Sequence, residues 1–195
     1  MSVRLIILGL LAEGNRHPYD IRQTIKNRNW HLTFRIKDGS LYYAVDQMRG
    51  EGLIEVAETI PVQGERRPDK VVYRITDKGK EALRETIYGE LAKDFYPRHP
   101  IFAALPFIRH ADPDKIVPIL RERIEACRER IEHLNRVLEI KSDRIPFGSV
   151  RLIEAIARLN EMERDWLGEL VLDAKEGRLA GKGSMPDGER RSGEA

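Results

Sequence analysis

The chain has 195 residues, with 34 basic and 32 acidic side chains and a formal net charge of +2. That length allows one generous domain or two small ones, and a 41% hydrophobic share supports a core where the balanced charge argues against general disorder. No apolar run reaches the roughly eighteen residues a membrane helix needs, so no membrane partner is expected, and the short apolar start reads as a buried helix instead of a signal peptide.

Residues 3–12 are apolar almost all round, which predicts a buried helix stopped by Gly14. After His17, Pro18 suits a first helical turn, and Ile21 and Ile25, one turn apart, predict a second helix of about three turns. Residues 31–37 read as a linker. A third helix is expected over 40–51, with Asp38 or Ser40 as its cap, Leu41, Val45 and Met48 inward, and Gly52 ending it. The period then changes. Residues 53–60 and 71–75 are β-prone and flank a Gly- and Pro-containing turn, which makes a hairpin with a charged tip. Thr76 caps a fourth helix through Leu83, Ile87 and Leu91. Three helices followed by a hairpin outline a winged helix-turn-helix, with the hairpin as the wing.

Pro97, Pro100, Pro106 and Pro113 mark a joint. Beyond it, Leu120, Ile124, Cys127, Ile131, Leu134 and Leu138 are spaced 4, 3, 4, 3, 4, a heptad stripe on a long helix. Residues 142–148 make a turn. A second long helix carries Leu152, Ile156, Leu159, Trp166 and Leu170, with Glu163 intruding. Two such helices form an antiparallel hairpin, and stripes of this kind predict a dimerisation partner. The expected architecture is therefore mostly α (α+β): a winged-helix DNA-binding domain over 1–96, a helical dimerisation and effector domain over 97–177, and a disordered tail over 178–195.

The third helix carries the most chemical information. With Leu41, Val45 and Met48 inward, Gly39, Tyr43, Asp46 and Gln47 face away, flanked by Ser40 and Tyr42. A helix N-terminus with Ser40 can hold a phosphate, and Gln47 can pair with adenine in a major groove. Arg66, Arg67 and Lys70 at the hairpin tip can reach a phosphate backbone or narrow minor groove, and Arg35 and Lys37 add cations on the same side. Enzyme motifs are missing. There is no glycine-rich phosphate loop and no G-x-S-x-G elbow, and the five histidines lack ligand spacing, so neither catalysis, metal nor cofactor is expected. The single cysteine, Cys127, excludes an internal disulfide and reads as a small buried hydrophobe in a reducing, cytoplasmic setting. Phe95, Phe102, Phe107 and Trp166 can line an effector pocket at the joint.

Leu8-Gly9-Leu10-Leu11 with His17-Pro18-Tyr19-Asp20-Ile21 resembles the first two helices of PadR-family regulators. Gly39-Ser40-Leu41-Tyr42 resembles the family's recognition-helix signature, Gly52-Leu53-Ile54 its entry to the wing, and Tyr73-Arg74-Ile75-Thr76-Asp77-Lys78-Gly79 its wing exit and fourth helix. The C-terminal half is similar to the larger PadR subgroup with a virulence-activator-type C-terminal domain. The resemblance implies a homodimer with intertwined C-terminal helices that places two winged helices on a palindromic operator. It implies that the start of the third helix enters the major groove, which nominates Ser40, Tyr42 and Tyr43. It also implies backbone contacts from Arg66, Arg67 and Lys70 of the wing and a phosphate contact from Tyr19. Tyr43 stands where the family often has Pro, and Pro18 where Gly is common. The expected function is a ligand-responsive, double-stranded-DNA-binding repressor. An activator of the same architecture and a winged-helix protein-interaction module without DNA binding are the alternatives.

Overall fold

In the computed structural model, which describes residues 3–28, 30, 34, 38–61 and 69–181, the chain divides between Tyr96 and Pro97 into two units. It is mostly helical, with a winged helix-turn-helix in the first unit and a long antiparallel helical hairpin in the second.

Helix α1 (Val3–Glu13) is the hub of the first unit. Ile6, Ile7, Leu8, Leu10 and Leu11 are all buried, because other elements pack on more than one side of it. Helix α2 (Pro18–Asn27) is the opposite case, a one-faced helix that buries only Pro18, Ile21 and Ile25. Helix α3 (Asp38–Gly50) buries Leu41, Ala44, Val45 and Met48. It begins at Asp38, two residues earlier than expected, so Asp38 and Ser40 both lie inside its first turn. Its end is a Schellman closure. The Leu53 N–H reaches the Met48 carbonyl at 2.9 Å and the Gly52 N–H reaches that of Arg49 at 3.0 Å, with Gly52 left-handed at φ 72°. Only glycine holds that φ without strain, which is why the chain can turn from α3 straight into the wing.

Strand β1 (Ile54–Ile60) pairs antiparallel with β2 (Lys70–Ile75), and Ala57 forms a bulge between the Val56–Tyr73 and Glu58–Val72 pairs. Arg16 adds a further rung, exchanging two 3.0 Å backbone hydrogen bonds with Tyr73 and so tying the α1–α2 connection to β2. Helix α4 (Asp77–Leu91) is capped by Thr76, whose hydroxyl oxygen accepts the Gly79 N–H at 3.0 Å and itself lies 2.8 Å from the Gly52 carbonyl oxygen, to which it donates. The same peptide region therefore closes α3, opens the wing and starts α4.

The second unit opens with two 3-10 turns, Pro100–Ala103 and Leu105–His110. Helix α5 (Pro113–Lys141) follows, capped by Asp112, whose carboxylate accepts the Asp114 N–H at 3.1 Å. Helix α6 (Phe147–Lys175) starts directly after Pro146, so the connection is shorter than the 142–148 turn read from sequence. Leu120, Cys127, Leu167, Leu170 and Val171 form the core, with Ile101, Leu105 and Leu179 packed on it. Leu179 belongs to a 3-10 turn, Arg178–Ala180, where the sequence predicted the start of a disordered tail. The rest of that tail, 182–195, lies outside the described residues.

Candidate nucleic-acid interface

The inner side of α3 is sealed in the core, and its outer side is polar. Gly39, Ser40, Tyr42, Tyr43, Asp46 and Gln47 are all exposed, as the helical period predicts. Tyr43 is 66% exposed, and its phenol oxygen accepts a 2.8 Å hydrogen bond from Gln47 Nε2 one turn later. The same pairing recurs on α2, where Gln23 Nε2 donates to the hydroxyl of exposed Tyr19 at 2.6 Å. Sequence reading singled out Tyr19 and missed Gln23, although the i, i+4 spacing shared with Tyr43–Gln47 was the available signal.

Lys70 is placed differently from the expectation. It is the first residue of β2, paired with Ile60, and not a tip residue. Its ammonium lies 3.2 Å from the Asp20 carboxylate on α2, an ion pair that links the wing to the helix carrying Tyr19. Both side chains are about two-fifths exposed, so the pair orients more than it stabilises. Lys37, Arg66 and Arg67, together with Arg35, lie outside the described residues.

His17 is a further residue the sequence reading passed over. Its Nδ1 accepts the Tyr19 N–H at 3.1 Å, which makes His17 the N-cap of α2 directly ahead of Pro18. Burial lowers its pKa; Asp20 opposes that shift and Lys70 adds to it. A protonated ring cannot accept this hydrogen bond, and its charge opposes the helix N-terminus. The folded state therefore holds His17 neutral while the unfolded chain takes up the proton first as pH falls. Stability of the first unit is expected to be insensitive to His17 above about pH 6.5 and to fall below it. His17→Asn keeps a cap without a titrating group and should flatten that limb of a melting-temperature-against-pH curve. Superimposable curves for the two proteins would refute the capping assignment.

Behind α2, the Glu13 carboxylate receives both Arg28 amines, at 3.1 and 3.0 Å, and Arg16 at 3.2 Å. The Arg28 hydrogen bonds hold its pKa below the ordinary carboxylate range against the cost of burial. This fixes the ends of α1 and α2 against each other.

In the second unit, part of the heptad stripe nominated for dimerisation is packed inside the hairpin. Cys127 is fully buried, Leu120 and Ile131 are buried, and Ile124, Leu134 and Leu138 are half-buried. On α6, Leu170 is buried, Leu152, Ile156 and Trp166 are half-buried, and Leu159 is exposed. Leu120 and Cys127, with Ile124 beside them, pack with Leu167, Leu170 and Val171 of α6, an intrachain contact that period alone does not reveal. The aromatics nominated for an effector are only partly assembled. Phe102 and Trp166 meet edge to face at 5.8 Å and His99 packs on both, whereas Phe107 is exposed on the second 3-10 turn and Phe95 is exposed in the other unit.

Glu163, which looked like an intruder in an apolar stripe, anchors this cluster. Its Oε1 lies 3.0 Å from His99 Nε2 and accepts from Arg123 at 2.7 Å. With His99 Nδ1 accepting the Ile101 N–H at 3.3 Å, the consistent tautomer carries its proton on Nε2, toward Glu163. Burial alone would raise the Glu163 pKa, but the hydrogen bonds from His99 and Arg123 outweigh it and hold the carboxyl below its ordinary value.

Residues 7–85 match the family described as "Transcriptional regulator PadR-like family", a span running from α1 through the wing into α4. An uncharacterised protein of Lysinibacillus sphaericus is 35% identical over 82 residues, which are 42% of this chain and 72% of that relative. The chain belongs to the PadR-like family of transcriptional regulators. Among solved structures, Bacillus subtilis PadR in complex with operator DNA is similar with a TM-score of 0.72 at 19% identity, covering 88% of this chain and 98% of that one. The same protein in complex with p-coumaric acid gives 0.71 at 18%, covering 89% and 99%. At these identities the likeness is one of fold, and it extends past the matched family region into the helical half. The PadR-like assignment accounts for where the sequence motifs meet: Gly52-Leu53 and Thr76 through Gly79 converge at one junction that sets the wing on α3.

Proposed function

We propose that this chain is a sequence-specific double-stranded-DNA-binding repressor that acts as a homodimer on a palindromic operator and is released by a small-molecule effector. The observation that carries this reading is the outer face of α3. Ser40, Tyr42, Tyr43 and Gln47 are exposed on a helix whose other side is built into the core, so the helix is rigid and its polar face is on offer. Tyr19 and Lys70 flank it as backbone contacts, with Lys37, Arg66 and Arg67 nominated from sequence. Bacillus subtilis PadR, which shares the fold, has been solved on operator DNA.

The homodimer reading draws on the half-buried stripe residues Ile124, Leu134, Leu138, Leu152 and Ile156 together with exposed apolar residues of both helices. Leu159 and Met162 on α6 are 53% and 64% exposed, and Ile119 and Ile140 are exposed on α5. Apolar faces of this kind on a long hairpin favour a second copy. Two recognition helices one helical turn apart, about 34 Å, then read successive major grooves. A ligand among Phe102, Trp166 and their neighbours in the second unit, with Phe107 as a further candidate, acts by favouring a dimer geometry in which that spacing is lost. Bacillus subtilis PadR has been solved with p-coumaric acid. No described helix is long and apolar enough to cross a membrane, and we place the protein in the cytoplasm with its DNA.

The double substitution Arg66→Ala with Arg67→Ala tests the wing. Binding to every duplex is expected to weaken, and the slope of log K against log salt should become shallower by about 0.9 for each phosphate that is no longer neutralised. Operator binding that keeps its affinity and its salt slope would remove the wing from the interface. Binding to a protein partner but to no duplex would favour an interaction module.

A further inference from the structure

We infer that Tyr43 is a positioning residue that makes Gln47 an adenine reader and excludes guanine. The inference deepens the reading of α3 as a recognition helix and rests on it.

A glutamine amide carries one acceptor oxygen and two N–H donors. An unrestrained amide on an exposed helix face samples many rotamers and can turn either edge to a base, so it discriminates poorly and loses rotamer entropy on binding. Gln47 is not unrestrained. Its Nε2 donates to the Tyr43 hydroxyl at 2.8 Å, across a single turn of α3. One of the two N–H groups is therefore occupied, and adenine reading requires it to be the one anti to Oε1, which leaves Oε1 beside the other N–H. That edge is a donor next to an acceptor. Adenine presents N7 as acceptor and N6–H as donor in the major groove, which is its complement. Guanine presents two acceptors, N7 and O6, so the clamped amide meets it with one hydrogen bond and an oxygen facing an oxygen.

Both partners are well placed for this role. Tyr43 and Gln47 are exposed, and neighbouring Ala44, Val45 and Met48 are sealed in the core, so the pair stands on a helix anchored by its inner face. Tyr43 spends only an acceptor lone pair on Gln47, which leaves its own O–H available to a phosphate oxygen. The Tyr19–Gln23 pair on α2 repeats the geometry at the residue nominated for a backbone contact.

The test selects preferred duplexes from a randomised library with the full-length wild-type chain, Tyr43→Phe and Gln47→Ala, followed by direct titrations. Tyr43→Phe removes the clamp and keeps the ring. The expected result is one adenine position in each half-site for the wild type. Gln47→Ala loses that preference. Tyr43→Phe lowers the adenine-over-guanine ratio there by about tenfold, while the ranking of bases at other positions persists. Replacing that adenine by 7-deazaadenine, which lacks the N7 acceptor, should reduce wild-type binding to the level of Gln47→Ala. A wild-type preference for guanine at the Gln47-dependent position overturns the inference. So does a Tyr43→Phe protein with the adenine preference and 7-deaza sensitivity of the wild type. A wild-type library with no sequence preference at any position removes the DNA reading itself, and this inference with it.

Discussion

Gly79→Ala is expected to destabilise the amino-terminal unit by about 3 kcal/mol or more, enough to leave much of it unfolded. A Cβ at that position would stand 2.0 Å from the Leu53 carbonyl oxygen and 2.8 Å from Ile75 Cγ1. Neither obstacle can retreat. The Leu53 oxygen is held by the Thr76 N–H at 3.1 Å, and Ile75 is paired with Ile54 in the wing. The clash would prise α4 from the junction where α3 ends and the wing begins, and would pull the Gly79 N–H off its Thr76 cap. Gly89 on the same helix is the control, since a Cβ there meets nothing within 4 Å. Gly89→Ala should stabilise by roughly 0.5–1 kcal/mol through helix propensity. Urea titrations of the two variants against wild type decide the matter. Equal midpoints for both would mean that the junction is looser than its geometry requires.

Leu167→Asp should cost about 4 kcal/mol and melt the helical hairpin. Leu167 is fully buried in the cluster with Leu120, Cys127, Leu170 and Val171, and no cation of the neighbouring Arg123–Glu163–His99 network is uncommitted to receive a new carboxylate. Leu159→Asp, eight residues earlier on the same helix, puts its charge on a face that is already half exposed. It should leave circular dichroism and unfolding midpoint near wild type and, on the dimer reading, lower the mass seen by light scattering. If Leu159→Asp unfolds the chain and Leu167→Asp does not, the inward and outward faces of α6 have been interchanged.

These contrasts show which parts of the molecule were legible in the sequence. Local chemistry was. Gly52 ended α3, Thr76 capped α4, and the change from helical to alternating period located the wing, because each of these depends on a few neighbouring residues. The exposed face of α3 followed from the inward period of Leu41, Val45 and Met48. Choices between distant partners were not legible. The 4-3 spacing from Leu120 to Leu138 fixes a stripe but does not say whether α6 of the same chain or a second copy fills it. Lys70 looked like one more cation at a basic tip until Asp20, fifty residues earlier, was found opposite it. Glu163 looked out of place in an apolar stripe because its partners, His99 and Arg123, come from two other elements. The Arg16–Tyr73 rung is made by backbone alone and leaves no mark on side-chain pattern.

The central claim, that the α3 face reads DNA sequence, is tested most directly by fluorescence anisotropy. The purified protein would be titrated onto its library-selected duplex and a scrambled duplex of equal length at several salt concentrations. The account predicts a preference of about a thousandfold or more for the selected duplex, with affinity falling steeply as salt rises. Weak binding, equal on both duplexes at every salt concentration, would contradict it.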